Sequence, residues 1–242
     1  MEASVYAQEA MIEATHWWFV GRRKLFAAEI ARAGVSNDAR VLDIGTSTGT
    51  NLRMLRDLSY RQVAGLDSSQ DAIRFCEEKG LGPVYRGDVC AMPFADESFD
   101  LILATDIVEH VDDDIRAVQE IARVLAPGGT ILITVPAFKS LWGLQDEVAQ
   151  HKRRYTQKML TKIVASAALQ TTRCYYFNYL LFAPIWMARK LIHVLNIRLE
   201  SEAQVNTSAL NRILSLVFKL DIWTASKIHP PFGVSILAIA KK

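Results

Sequence analysis

The chain is short of the features that mark several large protein classes. It has only three cysteines in 242 residues. Cys76, Cys90 and Cys174 are odd in number and far apart, which argues against a disulfide framework and for reduced thiols in a cytosolic protein. No Cys/His spacing resembles a zinc site, so the expectation for a metal is none. The chain opens on Glu2, Glu9 and Glu13 rather than on a basic region followed by an apolar one, so no secretory signal is expected. The apolar run Cys174 to Ala188 contains Asn178 and Pro184 and falls short of the ~20 residues that a membrane span requires. Acid is scarce in one place only. Residues 1–150 carry 14 Lys+Arg against 23 Asp+Glu, whereas the last 92 carry 14 against 3. That asymmetry points to an anionic substrate or a membrane surface, or to mutual attraction of the two halves.

What is present is enough for one decorated domain, with half the residues hydrophobic and 22% charged. The organising stretch runs from Arg40 to Asn51. A β-branched and apolar strand ends in Asp43, turns through Gly45 and Gly49, and enters a helix over Asn51 to Leu58. Glycine lets a ligand approach the backbone, and the first turn of a helix leaves N–H groups unpaired. The same unit recurs: a strand Gln62 to Leu66 ends in Asp67, and a capping box of Ser68 and Asp71 opens a helix that stops at Gly80. Further strands are expected over Val84–Arg86 before Asp88, Phe99–Ala104, Thr130–Val135, Thr171–Phe177 and Gly233–Ala240, with helices over Asp112–Leu125 and Thr156–Leu169. Strand and helix alternate as in a doubly wound α/β sheet of seven strands.

The ends are helical. Val5 to Arg32 reads as one helix carrying His16-Trp17-Trp18-Phe19 beside Arg22 and Arg23, a candidate lid in which Trp18 and Arg22 meet the substrate, or a helix packed on the sheet. Between the last two strands, Leu210, Ile213, Leu214, Val217 and Leu220 share one helical face, with Asn211, Arg212, Ser215 and Lys219 opposite. A second helix starts at Pro184 in the first helical position and carries Trp186, Leu191 and Val194. This insertion reads as a substrate cap, a membrane-surface anchor, or a cap that packs on the domain or on a second subunit. The domain therefore divides into a lid (1–34), a cofactor core (35–136), an acceptor segment (137–177), a helical cap (178–229) and the last strand (230–242).

Three cofactors compete for the glycine loop. A P-loop is excluded by its spacing and by the lack of a lysine after Gly49. A dinucleotide fold is disfavoured by Ser47 and Thr50 at glycine positions and by Asp43 where pyrophosphate would lie. S-adenosylmethionine, a cation without phosphate, suits acids at successive strand ends: Asp43 near its amino group, Asp67 at the ribose and Asp88 at the adenine amine.

Val-Leu-Asp-Ile-Gly-Thr-Ser-Thr-Gly, Gly-Leu-Asp, the run from Gly87 to Asp100, Asp-Ile-Val-Glu-His-Val and Arg-Val-Leu-Ala-Pro-Gly-Gly resemble, in order, the motifs of class I S-adenosylmethionine-dependent methyltransferases, over Arg40 to Pro136. They are most similar to the type-11-like, small-molecule branch that includes the quinone-biosynthesis enzymes. The resemblance implies a Rossmann-like sheet whose seventh strand is antiparallel and lies between the fifth and sixth. It implies cofactor contacts at Asp43, Gly45, Thr46, Ser47, Gly49, Asp67, Ser68, Asp88, Val89 and Thr105. Ser47 replaces the middle glycine of the family's loop.

The implied function is methyl transfer to a small-molecule or lipid-linked, anionic acceptor, with oxygen favoured as nucleophile. A non-catalytic S-adenosylmethionine-binding regulatory or assembly protein of the same fold is the alternative. A hydroxyl needs its proton removed, for which His151 and His110 are the candidates, His151 as base or orienting group with Asp146 five residues before it. Arg153 and Tyr155 are candidate acceptor contacts, although Arg153 and Arg154 equally suit Asp112, Asp113 and Asp114. Nucleic acid is disfavoured as a partner, because the basic residues form no stripe with stacking aromatics. A cytoplasmic location, with residues 178–229 at the inner membrane face, completes the expectation.

Overall fold

A computed structural model describes residues 3–194 and 207–242. Residues 195–206 of the expected cap lie outside that range, as does the Val194 side chain. Seven strands form one sheet in the order β3-β2-β1-β4-β5-β7-β6. They are β1 (Arg40–Ile44), β2 (Gln62–Asp67), β3 (Val84–Arg86), β4 (Phe99–Thr105), β5 (Leu125–Pro136), β6 (Gln170–Phe177) and β7 (Ser235–Lys241). β1 to β5 pair in parallel, and β7 runs antiparallel to both β5 and β6. This is the sheet that the resemblance implied.

The alternation of side chains along each strand divides the core in two. Leu42, Ile44, Ile102, Ala104, Ile131 and Ile133 face one layer, which includes Ala117, Val118 and Ile121 of helix α5 (Asp114–Val124) and Leu160 and Val164 of α7 (Gln157–Ser166). Val41, Leu101, Leu103 and Leu132 face the other. There they meet Leu25, Phe26 and Ile30 of α2 (Trp17–Ala33), Leu52 and Leu55 of α3 (Thr50–Asp57), and Phe218 and Ala225 of α9 (Ser208–Ile228). Each fully buried Leu or Ile contributes about 1.5–3 kcal/mol.

Several elements depart from their sequence patterns. The first helix is two, α1 (Ala3–Ile12) and α2, because His16 leaves the helical region at φ −68°, ψ 131° and its ring accepts the Trp18 N–H as an N-cap. Helix α4 (Gln70–Glu78) starts after Ser69, so the Ser68–Asp71 capping box does not form; the Ser69 N–H is taken by Asp67 Oδ1 at 2.9 Å. Helix α8 (Phe182–Val194) begins two residues before Pro184.

The largest departure is α9. Its packed face runs through Asn211, Leu214, Phe218, Asp221 and Ala225, while Ile213, Leu216, Leu220 and Trp223 are exposed. Two polar residues turn the helix. Asn211 Oδ1 accepts the Trp17 N–H at 2.8 Å, and Asp221 accepts the Asn178 and Leu180 N–H groups at 2.7 and 2.8 Å. Satisfying those backbone donors outweighs hiding Ile213 and Leu220.

Candidate functional site

The site begins where β1 and β2 end. Gly45 has φ +73°, and a Cβ there would lie 1.8 Å from the Ile107 side chain, so the turn requires glycine. Ser47 takes the left-handed conformation, φ 46°, that a glycine would adopt at no cost. It gives its N–H to Asp67 Oδ2 at 3.0 Å and its hydroxyl hydrogen to Glu9 Oε2 of α1 at 2.7 Å. Asp67 is thereby held by two backbone donors, Ser47 and Ser69. Beyond β3, Asp88 Oδ1 accepts the Cys90 N–H at 2.9 Å. Behind this floor Asp43 is fully buried. Asn51 Nδ2 donates to its Oδ1 and to Thr105 Oγ1, both at 3.0 Å, while Oδ2 has no hydrogen-bond partner. Burial pushes the Asp43 carboxyl up to about 8.

From this floor a cavity of about 1050 Å³ extends under α1, α2, α8 and α9. That slightly exceeds the upper end of about 300–1000 Å³ for a small-ligand pocket, leaving room for two molecules side by side. One end presents Gly45, Thr46, Ser47, Asp67, Ser68, Asp88, Val89 and Thr105. The other presents Glu109, His110, Gln145, Val148 and His151, with walls from Trp18, Arg22, Ile185, Arg189, Ile192, Leu210 and Leu214.

The second end is built from the 3-10 turn Val108–His110 after β4 and the loop after α6 (Leu144–Val148). His151 Nδ1 lies 2.8 Å from Asp146 Oδ1. Asp146, buried, takes two charge-assisted hydrogen bonds from Arg154, at 2.7 and 2.9 Å, and the Gly143 N–H at 2.8 Å. Burial alone would raise the Asp146 carboxyl, but the bonds from His151 and Arg154 outweigh it and hold it down at about 2. The His110 ring stands edge-on to that of His151, 4.7 Å between centroids. Burial, and then the neighbouring His151, push His110 down to about 4. Glu109 is fully buried and neither of its carboxylate oxygens has a hydrogen-bond partner. Burial and the nearby Asp106 push its carboxyl well above the ordinary range. Arg22 bridges to Asp106 at 2.6 Å and lies over the Trp18 ring, 5.3 Å from its centroid.

Of the residues singled out from sequence, His110, His151, Trp18 and Arg22 therefore share the cavity with Gly45, Thr46, Ser47, Asp67, Ser68, Asp88, Val89 and Thr105. Four lie outside its lining. Asp43 sits behind the floor, and Gly49 caps α3 with its back to Leu81 and Cys76. Arg153 pairs with Asp114 at 3.0 Å and donates to the Val111 and Asp112 carbonyls. Tyr155 is fully buried and donates to Asp114 Oδ2 at 2.9 Å. Both brace the start of α5. Glu9, Asp106 and Glu109 are not among the site candidates read from sequence, and Arg154, expected against an anionic acceptor or Asp112–Asp114, instead holds Asp146. For Glu109 a signal existed: a carboxylate beside His110 in a strand-end loop that already holds Asp106.

The floor fits the S-adenosylmethionine that the resemblance implied. It offers Asp67 and Asp88 with no lysine beside them in the lining among the described residues, a glycine turn that keeps the backbone bare, and two buried oxygens without partners, Asp43 Oδ2 and Thr46 Oγ1. Comparison with known proteins points the same way. A family model for a methyltransferase domain matches residues 42–133. The chain is 33% identical over 119 residues to the ubiquinone/menaquinone biosynthesis C-methyltransferase UbiE of Desulfotalea psychrophila, covering 46% of this chain and 48% of that protein. It is 30% identical over 161 residues to the malonyl-[acyl-carrier protein] O-methyltransferase of Enterobacter lignolyticus, covering 62% and 64%. It is 36% identical over 120 residues to the phosphatidylethanolamine N-methyltransferase of Cereibacter sphaeroides, covering 46% and 55%. The chain thus spans less than two thirds of the length of these relatives. Among solved structures, the methyltransferase bound to the Trm112 activator of Haloferax volcanii superposes with a TM-score of 0.65 at 20% identity, over 98% of this chain and 94% of that one. A phosphoethanolamine N-methyltransferase of Haemonchus contortus, in complex with S-adenosyl-L-methionine, gives 0.57 at 21% identity, over 89% and 51%.

Proposed function

We propose, from the methyltransferase-domain match over residues 42–133, that the chain is a class I S-adenosylmethionine-dependent methyltransferase that transfers a methyl group to an oxygen of a small-molecule or lipid-linked, anionic acceptor. The observation that carries this reading is that one cavity is lined both by the carboxylates Asp67 and Asp88 and by the Glu109, His110 and His151 cluster. S-Adenosylmethionine, when bound, supplies a methyl group already activated on a sulfonium. Asp67 would receive its ribose hydroxyls and Asp88 its adenine amine, and Gly45 and Ser47 would let it approach the backbone.

The chain's own part is then alignment and exclusion of water, and alignment contributes several kcal/mol. His151 is the residue against which the acceptor's hydroxyl is placed, because Asp146 and, behind it, Arg154 fix its ring. His110, held near 4, stays neutral at neutral pH and is too weak a base to take a hydroxyl proton. Trp18, Arg22 and Arg189 line the acceptor walls, two of them cations, and the last 92 residues are strongly basic. In this reading α1 and α2 close over the cofactor as a lid. The Glu9–Ser47 bond and the ion pair from Lys79 to Glu13, at 2.7 Å, tie α1 down.

The lipid-linked part rests on α8 and α9. Their inner sides line the cavity through Ile185, Ile192, Leu210 and Leu214, and their outer sides expose Met187, Leu191, Ile213, Leu216, Leu220 and Trp223. Lys190, Arg212, Lys219 and Lys227 are interleaved, a composition that suits an anionic bilayer at the cytoplasmic membrane face. Among the described residues no helix is long and apolar enough to cross a membrane. The lipid named in the Cereibacter relative supports an acceptor of this kind.

Calorimetric titration with S-adenosylmethionine tests the first step, and absence of binding at millimolar concentration refutes the proposal. Incubation with labelled S-adenosylmethionine and lipid or soluble extracts of the host, followed by mass analysis, identifies the acceptor. A label found on nitrogen or carbon would overturn the oxygen assignment.

A further inference from the structure

We propose that Glu109, His110 and His151 bind one divalent transition-metal cation at the acceptor end of the cavity. One donor atom from each residue lies within 4.8 Å of the other two, and His151 Nε2 is 3.9 Å from Glu109 Oε1. An ion at about 2.0–2.2 Å from each would draw this set together by small rotations.

Three independent features favour an ion over a chance cluster. First, Glu109 is fully buried with both oxygens unpartnered, whereas its neighbouring acids each have a cation of their own: Asp106 has Arg22 and Asp146 has Arg154. A buried carboxylate without donors is costly, and a cation removes that cost. Second, the Asp146–His151 bond occupies Nδ1 and aims Nε2 at Glu109, the carboxylate–imidazole arrangement that orients metal-bound histidines. Third, the cluster borders open cavity, so three protein ligands leave a coordination position for an acceptor oxygen. Two imidazoles and one carboxylate suit zinc, manganese or iron(II) better than magnesium or calcium.

With the ion present, His151 acts as a ligand, and the acceptor's hydroxyl is placed and polarised at the open position. That consequence rests on the acceptor reading above; the binding of the ion does not.

The test is a titration of the full, tag-free, chelator-treated chain with Mn2+ and, separately, Zn2+, by calorimetry and, for Mn2+, by electron paramagnetic resonance. The expected result is one ion per chain, with affinity reduced about tenfold or more in Glu109→Gln, His151→Ala and Asp146→Asn. Glu109→Gln preserves shape and removes a buried charge, so it remains folded if the alanine variant does not. Asp67→Ala should bind the ion like the wild type. No saturable binding, or equal binding by Glu109→Gln and wild type, would overturn the site. Methyl transfer that persists after chelation, together with no saturable binding when Mn2+ or Zn2+ is added back, would discard the site and leave the methyltransferase reading standing. A bound ion without methyl transfer to any extract component would do the reverse.

Discussion

Replacing Asp221 by alanine tests how the acceptor wall is held. Asp221 lies at 0% exposure on α9 and accepts the Asn178 and Leu180 N–H groups, where β6 ends and the chain turns into α8. Asn178 stands there in the left-handed region, φ 56°, so the corner depends on those two bonds. Removing the carboxylate leaves the N–H of buried Asn178 and that of exposed Leu180 without this acceptor, at about 1–3 kcal/mol for a fully buried group and less for an exposed one. Relief of the buried charge offsets part of that, and we expect a net loss of about 2–4 kcal/mol. For a domain of this size, 1 kcal/mol corresponds to about 2–4 °C in Tm, so the melting temperature should fall by about 4–16 °C. Asp221→Asn keeps one acceptor oxygen and should lose about half as much. Calorimetric melting gives the number, and hydrogen exchange locates it: protection should drop at residues 178–180. The affinity for S-adenosylmethionine, whose floor lies on other elements, should stay within about threefold of wild type. A Tm for Asp221→Ala within about 1 °C of wild type would refute the argument that polar residues, rather than Ile213 and Leu220, set the packed face of α9.

Other perturbations are equally direct. Asp67→Ala should weaken S-adenosylmethionine binding more than tenfold in calorimetry; unchanged affinity would mean that the ribose end lies elsewhere. Asp43 retains its proton in the folded protein up to about 8, because of burial, against an ordinary carboxylate value of about 3.9. Its contribution to stability is therefore complete below about pH 4 and lost as pH rises through about 8, at up to about 1.4 kcal/mol per pH unit. Asp43→Asn cannot titrate and should flatten that decline in urea unfolding between about pH 5 and pH 8; equal slopes would contradict the assignment. Ser47→Gly relieves a left-handed residue by about 1 kcal/mol and removes the hydroxyl bond to Glu9. Exchange in α1 should accelerate severalfold without loss of Tm, and an unchanged α1 would show that Ser47 does not hold it. Serine at Ile213, Leu216 and Trp223 together should abolish flotation with anionic vesicles, and flotation equal to wild type would argue against a membrane-facing α9.

The cofactor half was readable because its signal is local. A strand, an acid and a glycine turn within ten residues fix where the Gly45 loop and Asp67 go, since each strand end is carried to the same edge of a parallel sheet. The acceptor half depends on partners distant in the chain. Arg153 and Arg154 are adjacent in sequence, yet one braces Asp114 and the other holds Asp146. Tyr155 looks like a pocket residue until its hydroxyl is seen against Asp114 in the core. Periodicity misplaced the packed face of α9 because it counts apolar residues, whereas Asn211 and Asp221 pair with backbone donors 194 and 43 residues away. Glu109 was passed over for the neighbouring His110, whose chemistry is easier to name.

The position of β7 has a consequence for the order of events during synthesis. Its seven residues pair on both sides, with β5 and with β6, so the two are joined only through a strand made after both. Until Ser235–Lys241 leaves the ribosome, β6 has no neighbour in the sheet, and the core layer that α9 packs into lacks Leu237 and Ile239. The cofactor floor on β1 and β2 is complete long before, so a nascent chain passes through a stage with a formed floor and an open, apolar acceptor side. That stage is where chaperone capture or misassembly should concentrate.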